Sequence, residues 1–333
     1  MIAYSTSPGE KASDGGDAGH SVYTQSLLNY LDKEGLEIEA FFKKVRSMVY
    51  SLSGEKQTSW EHTSLIGEFS FNSGKIISAA ELGYGVTAIC DKDYDMTDPE
   101  IGKVLTKFKT YTYDVQASGL ELFESLNSRK LKPDQLFVIG RNILQAANGN
   151  CWACQGFIRD ANRIAQYSHD GFNHVLNGIL FEVYFNSECH FRGESCKRAF
   201  LDDLMVLAKN DTFKSSFEFI QKALSAHSNK VLFVPQKDAQ IVDIILGLEE
   251  ATVDYAWSDV EALKIVSAKN DGTELLTDEE NNVFPSRPDL YSLDQLKEML
   301  CKHYVIPDRY LNIIGDKEID KNLYVEKKFK KII

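Results

Sequence analysis

The first residues of this chain constrain its fold more than any other segment. Residues 2–6 form a short apolar run that ends where Pro8 and Gly9 force a turn. This pattern predicts a β-strand at the start of the sequence. A strand of this kind normally lies inside a sheet, and the sequence offers no earlier segment that could pair with it. We therefore expect the strand to belong to a folding unit whose first half is supplied from elsewhere.

Bulk composition excludes several classes of protein. The chain has 333 residues, which is enough for two domains, and a formal net charge of -12, which argues against a nucleic-acid-binding surface. No stretch is long and apolar enough to span a bilayer, and no signal peptide opens the sequence, so we expect no membrane contact. Six cysteines are too few for a secreted disulfide scaffold, which indicates a reducing, cytoplasmic setting.

Two amphipathic helices and a second strand follow the first strand. Ser21 can cap a helix whose apolar residues recur at helical spacing, namely Tyr23, Leu27, Tyr30 and Leu31. The next helix has one apolar face, formed by Ile38, Phe41, Phe42, Val45 and Val49. After a polar loop, residues 68–71 alternate as a strand does. The order strand, helix, helix, strand is half of a three-layer α/β unit, so this segment needs partner strands to cover its sheet.

The same segment carries a family resemblance. Tyr4-Ser5-Thr6-Ser7-Pro8-Gly9 resembles the start of the small subunit of caspase-like cysteine endopeptidases. Further stretches continue the similarity in the same order, in the style of bacterial members: residues 19–28, 36–39, 42–46, 54–61 and 64–71. The resemblance covers about the first fifth of the chain. It implies a caspase-like fold for residues 1–72 and proteolysis as the activity of the complete domain.

The resemblance also implies where the chemistry lies. In this family the catalytic His and Cys belong to the large subunit, where the His polarises the thiol and the thiolate attacks the peptide carbonyl. Neither has a matching position here, and His20 lies in a loop that resembles no catalytic position, so we interpret it as a surface histidine. We expect no catalytic residue and no cofactor in this chain. The partners implied are a protein or peptide substrate and the large-subunit half of the protease domain.

A specificity prediction follows from the turn after the first strand. In animal caspases the matching stretch supplies an Arg that grips a substrate Asp, and counting along the turn places Ser13 and Asp14 there. A carboxylate in that pocket pairs with a basic side chain, so the resemblance implies cleavage after Arg or Lys. Ser5 and Ser7 would flank the groove in which an extended substrate pairs with the strand edge. The alternative is that Asp14 merely begins a glycine-rich turn.

The rest of the chain shows no recognised family. Residues 73–98 are interpreted as a linker, and residues 99–333 as a mainly helical accessory domain. Four apolar stripes indicate helices: Leu136, Ile139, Ile143 and Ala147; Phe213, Phe217, Ile220 and Leu224; Ile241, Ile244, Ile245 and Leu248; and, behind a Ser292–Gln295 capping box, Leu293, Leu296 and Leu300. Residues 231–234 are the best strand candidate. Asn177 and Gly178 fit either a buried helix or a hairpin.

One constellation suggests a metal site. Cys151 and Cys154 have the spacing that places two sulfurs on one ion, and Cys189 with Cys196 could complete a tetrahedral zinc site, with His190 beside them. The six residues between the second pair fit this poorly, and buried cysteines are common in helical domains. The simpler interpretation is therefore that the cysteines are core residues and that no metal is bound.

Two functional hypotheses result. The first is that the chain is the carboxy-terminal part of a caspase-like cysteine endopeptidase, a partial three-layer α/β unit followed by a helical domain that senses a signal or recruits substrate. The second is a non-catalytic regulatory or protein-interaction module that uses its unpaired sheet edge. A zinc-stabilised interaction module is a third hypothesis for the second segment alone.

Overall fold

The computed structural model describes most of the chain, in two compact units. The described residues are 1–13, 19–31, 33, 36–65, 69, 71, 81–225, 227, 231–255, 258–277 and 289–330. The first unit is Met1–Glu81 and the second is Leu82–Ile333. Among the described helices, none combines the length and the apolar character needed to cross a membrane.

The first unit contains the two predicted helices between two short strands. Its elements are β1 (Ile2–Tyr4), α1 (Val22–Leu31), α2 (Ile38–Leu52) and β2 (Trp60–His62). Ser21 caps α1 as predicted, because its Oγ accepts the N–H of Thr24 at 3.2 Å. The buried face of α2 is the predicted one, and it packs with Val22 of α1 to form the core: Val22, Ile38, Phe41, Phe42, Val45 and Val49.

Burial of this small core stabilises the first unit. Val45 and Val49 are fully buried, and each contributes about 1.5–3 kcal/mol relative to an exposed side chain. Partly buried residues of α1 and of the segment before α2 pack against this core: Tyr23, Leu27, Tyr30 and Leu36. Burial of Tyr23 raises the pKa of its phenol above the ordinary value, as expected for a side chain in apolar surroundings.

The position predicted for the second strand is wrong. The structure pairs β1 antiparallel with β2, placing Tyr4 opposite Trp60 and Ile2 opposite His62, in the stretch interpreted as a polar loop. Within residues 68–71, Phe69 and Phe71 are described and neither is in a strand. Instead, the ring of Phe71 packs edge-on against that of Phe41 at a centroid distance of 4.9 Å. A three-residue strand is too short for its alternation to be recognised in a sequence.

The second unit begins with helices. They are α3 (Val86–Ile89), α4 (Pro99–Phe108), α5 (Tyr113–Ser125), α6 (Pro133–Asn148), α7 (Trp152–Arg159), α8 (Ala161–Ala165), α9 (His174–Tyr184), α10 (Leu201–Ala208) and α11 (Lys214–Ser225), with a small hairpin of β3 (Ser168–His169) and β4 (Phe172–Asn173). The stripes that predict α6 and α11 are confirmed. The predicted linker is wrong for residues 82–98, because Ala88 and Ile89 of α3 are fully buried in this unit.

Helices α6 and α9 lie at the centre of this helical part and approach each other closely. A Cβ on Gly178 would lie 1.9 Å from the carbonyl oxygen of Phe137, and one on Gly140 would lie 2.0 Å from that of Val175. Only glycine fits at such a crossing, because any side chain would force the backbones apart. The Asn177–Gly178 pair is therefore part of a buried helix and not a hairpin.

The carboxy-terminal part is mostly sheet, which corrects the prediction of a mainly helical domain to residue 333. Its strands are β5 (Val242–Tyr255), β6 (Ser258–Asn270), β7 (Thr273–Glu274), β8 (Leu276–Thr277), β9 (Leu290–Tyr291), β10 (Leu311–Gly315), β11 (Asn322–Tyr324) and β12 (Lys328–Phe329). The main sheet has the order β10-β5-β6-β11-β9, with β7 also on β6. β5 and β6 are antiparallel, whereas β10 runs parallel to β5 and β11 parallel to β6.

Two local predictions in this part are wrong and one is confirmed. The stripe predicted as a helix at Ile241–Leu248 falls on β5 from Val242 onward, where burial alternates with a period of two and leaves Ile245 exposed; Ile241, just before the strand, is also exposed. Residues 231–234 are not a strand, although Val231 and Phe233 are buried. The capping box of Ser292 and Gln295 is present at the start of α12 (Leu293–His303).

Candidate substrate-binding site

The chain turns sharply after β1. The N–H of Glu10 donates to the carbonyl of Ser7 at 3.1 Å, and Gly9 has a φ of 85°, in the left-handed region that favours glycine. The Oγ of Ser7 donates to the carbonyl of Thr58 at 3.2 Å. The turn is therefore fastened to the segment that leads into β2.

Gln57, which follows the end of α2, contacts this turn. Gly54 and Glu55 have φ values of 61° and 65°, and the N–H of Glu55 donates to the carbonyl of Tyr50 at 2.8 Å. The Oγ of Ser53 then accepts the N–H of Gln57 at 2.9 Å. These contacts stop the helix and fix the backbone from which the Gln57 side chain projects.

Gln57 joins the two sides of the turn. Its Nε2 donates to the carbonyl of Ser5 at 2.7 Å, and its Oε1 accepts the N–H of Ser13 at 2.9 Å. The side chain is 3% exposed, so each of these bonds replaces a contact with water that burial has removed. One buried amide thus sets the separation between the end of β1 and the segment that leads to Asp14.

The structure brings together three of the four residues predicted to bind substrate. Ser5 and Ser13 are linked through Gln57, and Ser7 is bonded to the adjacent Thr58. Asp14 lies outside the described residues. Sequence reasoning missed Gln57 as the organising residue, because nothing in the spacing of a polar loop marks one member as buried.

One face of the two-stranded sheet is apolar and exposed. Residues directly opposite each other lie on the same face, so Ile2, Tyr4, Trp60 and His62 share one side. Ile2 is 56% exposed, Tyr4 50% and Trp60 51%. The other side carries Glu61, which forms an ion pair with Arg46 of α2. Apolar side chains of a sheet that lie in water present a surface suited to a partner.

The largest cluster of buried charges described lies in the second unit. Arg141 of α6 is fully buried between two carboxylates, with Nη2 at 2.7 Å from Glu182 and Nη1 at 3.2 Å from Asp91. Arg192 and Lys197 also contact the Glu182 carboxylate. Burial raises the pKa of Asp91 and lowers that of Lys197 against the opposing effect of their partners. The cluster ties residues 88–91 to α6 and α9, which is a structural role.

The four cysteines proposed as zinc ligands are buried thiols. Burial, followed by the neighbouring Cys151, raises the pKa of Cys154, and burial raises that of Cys196 to about 12. The Sγ of Cys151 lies 3.8 Å from the carbonyl of Tyr113, whereas that of Cys196 lies 4.0 Å from the carbonyl of Tyr184. Within the described residues, no three His, Cys, Asp or Glu side chains form a group that could hold a metal ion. The geometry therefore does not support the zinc hypothesis.

Comparison with known protein families gives one match, which lies within the first unit. The family model of the caspase domain matches residues 1–70. No similar protein is found among the curated proteins, and none among the solved structures. The chain thus contains a caspase-like region that coincides with the segment organised by Gln57, and this region points to a protease-related function.

Proposed function

We propose that the first unit is the small-subunit half of a caspase-like cysteine endopeptidase domain, and that it helps bind the substrate. The observation that carries this proposal is the match of the caspase domain to residues 1–70. All six cysteines of the chain lie at residue 90 or later, outside the matched region. The proposal therefore assigns the catalytic His and Cys to a complementary large-subunit half, whether it belongs to the same polypeptide or to another.

The exposed apolar face of the β1–β2 sheet supports the proposal that a large-subunit half packs against this unit. Ile2, Tyr4 and Trp60 together expose an apolar surface that further strands and helices of a three-layer domain would cover. Under this proposal the large-subunit half packs there and extends the two-stranded sheet. Burial of the three side chains is a source of binding free energy for the assembly.

We propose further that Asp14 selects a substrate with Arg or Lys before the cleaved bond. The Gln57 bridge holds Ser13, the residue before Asp14 in the sequence, beside the end of β1. A carboxylate in this position forms a charge-assisted hydrogen bond with a basic side chain and repels an acidic one. Ser5 and Ser7 would flank the groove that receives the extended substrate.

The second unit is proposed as an accessory domain that senses a signal or recruits substrate. A second function for the whole chain is non-catalytic, with the unit of β1 and β2 serving as a regulatory interaction module. The same exposed surface at Ile2, Tyr4 and Trp60 favours it, because a surface that binds a large-subunit half can also bind another protein.

Substitution of Asp14 tests the specificity. The assembly of this chain with a caspase-like large-subunit half supplied in trans should cleave fluorogenic peptides that end in Arg, and Asp14→Asn should lower kcat/KM for them about tenfold or more. Asp17→Asn is the matched control, since Asp17 is in the same stretch of sequence and the resemblance gives it no part in the pocket. Equal loss in both variants, or none in either, would contradict the role of Asp14.

A further inference from the structure

The edge of β5 beyond its pairing with β10 is open in the described part of the chain. β10 pairs with Val242–Leu246 of β5, whereas β5 continues to Tyr255 with β6 on its other side. No described strand pairs with the outer edge of residues 249–255. The two strands therefore extend past the sheet as an antiparallel ribbon.

Backbone groups on this open edge can be assigned from the bonds next to it. The carbonyl of Leu246 accepts the N–H of Asp316 at 3.0 Å, and the N–H of Leu248 donates to the Asp316 carboxylate at 3.0 Å. Both groups point to the β10 side, and groups on one edge of a strand recur at every second residue. The N–H and C=O groups of Glu250, Thr252 and Asp254 therefore face outward.

The ribbon is strongly acidic. Residues 249–261 contain five acidic side chains and no Lys or Arg: Glu249, Glu250, Asp254, Asp259 and Glu261. Lys321 compensates part of this charge, with its Nζ at 2.8 Å from Glu250 and 3.5 Å from Glu261. Asp254 and Asp259 stand directly opposite each other across the two strands, and neither has an ion-pair partner among the described residues. Like charges in that position repel, and a cation from outside would relieve the repulsion.

We propose that the outer edge of β5 from Glu250 to Asp254 binds an extended segment of another protein that is rich in Lys or Arg. The segment adds a strand, and its main chain bonds to the outward N–H and C=O groups. Side chains of Glu250 and Asp254 lie on one face, about 13 Å apart at the rise of an extended strand. Cationic residues four positions apart in the segment therefore match them. This binding is independent of the function proposed for the first unit.

The competing explanation is that the acidic residues only protect an exposed edge from pairing. The two explanations differ in what binds. A protected edge takes up no peptide, and a merely acidic surface takes up any cation, whereas a strand-adding edge needs both the positive charge and the main-chain donors of the peptide.

Fluorescence anisotropy of labelled ten-residue peptides with the full chain at 0.15 M salt separates these cases. An alternating Lys–Val peptide should bind, and a Glu–Val peptide should not. The Lys–Val peptide N-methylated at every second residue on one edge, which keeps its charge but loses main-chain donors, should bind about tenfold more weakly or not at all. No binding of the Lys–Val peptide, or equal binding of the methylated one, would overturn the proposal.

Substitutions at Thr252 give a matched pair in the protein. Because the Thr252 N–H faces outward, Thr252→Pro removes an edge donor and blocks the edge without breaking a bond to β6. It should weaken the Lys–Val peptide about tenfold, whereas Thr252→Ala should change its Kd less than about twofold. Asp254→Asn combined with Asp259→Asn should also weaken binding. Equal affinity for the Pro and Ala variants would contradict strand addition, and if the Pro variant fails to fold, the methylated peptide decides the question with the unmodified chain.

Discussion

At the scale of single residues, Gln57 is the side chain that organises the candidate site. It is buried, and it satisfies one main-chain group on each side of the turn after β1. Sequence reasoning named the serines and Asp14 from a resemblance and passed over Gln57. The reason is physical: a buried side-chain amide is stabilising only where main-chain groups are placed to bond with it. Here those groups come from segments more than forty residues away in the sequence.

Replacing Gln57 should loosen the turn. Gln57→Ala leaves the Ser13 N–H and the Ser5 carbonyl without their partner, which should cost about 1–3 kcal/mol of local stability. Hydrogen exchange should show faster exchange at the Ser13 amide, whereas Asn29→Ala, at an exposed position of α1, should leave that amide unchanged. An unchanged Ser13 amide in the Gln57 variant would show that the bridge does not hold the turn.

His174 should make the second unit sensitive to acid. Asn177 Nδ2 donates to the Tyr84 oxygen at 2.8 Å, and that oxygen also forms a hydrogen bond with His174 Nδ1 at 2.8 Å. Burial, then the nearby His169, lowers the pKa of His174 below its ordinary 6.5, while Asp134 opposes the shift. The unfolded chain thus binds this proton more readily, and stability falls as the pH drops below 6.5 towards the lowered value.

Thermal unfolding at several pH values checks this sign. Between pH 7.5 and 5, the unmodified chain should lose more stability than His174→Gln, which cannot take up the proton. His20→Gln, at an exposed position of the first unit, should lose as much as the unmodified chain. If the stability of the unmodified chain and of the His174 variant fell equally with decreasing pH, His174 would not be the source of the acid sensitivity.

At the scale of secondary-structure elements, long periodic helices were predictable and short or alternating elements were not. The apolar stripes of α2, α6 and α11 recur at helical spacing over several turns, and each is confirmed. The apolar residues between Ile241 and Leu248 fit both the spacing of a helix and the alternation of a strand. A run this short does not distinguish a helix from a strand. β2 has three residues and takes its strand form only by pairing with β1, which no local pattern reveals.

The crossing of α6 and α9 should tolerate no side chain at its contact point. Gly178→Ala places a methyl group against the Phe137 carbonyl, so the helices must separate, at a cost of about 1–3 kcal/mol or more. Gly156→Ala in α7 is the matched control, because nothing lies within 4 Å of the added Cβ. There, alanine should raise stability by about 0.5–1 kcal/mol through its helix propensity.

Chemical denaturation of the two glycine variants measures the difference. The two effects on stability should have opposite signs: Gly178→Ala should unfold at a lower denaturant concentration than the unmodified chain, and Gly156→Ala at a higher one. Equal effects in the two variants would mean that helix propensity, and not the contact with Phe137, governs both positions.

At the scale of the whole molecule, the chain contains a caspase-like region and a larger second unit. Only part of the second unit's structure could be predicted from the sequence. Residues 1–70 match the caspase domain, and their sheet leaves an apolar face in water. The second unit is helical to Ser225 and mostly sheet after Val242, which no composition or periodicity argument anticipated. Under the proposal above, the first unit binds the peptide and a complementary half supplies the nucleophile.

Peptide cleavage by the chain with and without that half tests this assignment most directly. The chain is expressed alone and together with a caspase-like large-subunit half, and both preparations receive fluorogenic peptides that end in Arg or in Asp. We expect no cleavage by the chain alone, and cleavage after Arg by the combination, which a thiol-alkylating reagent should block. Cleavage by the chain alone, a preference for Asp, or a folded combination that cleaves neither peptide would contradict it.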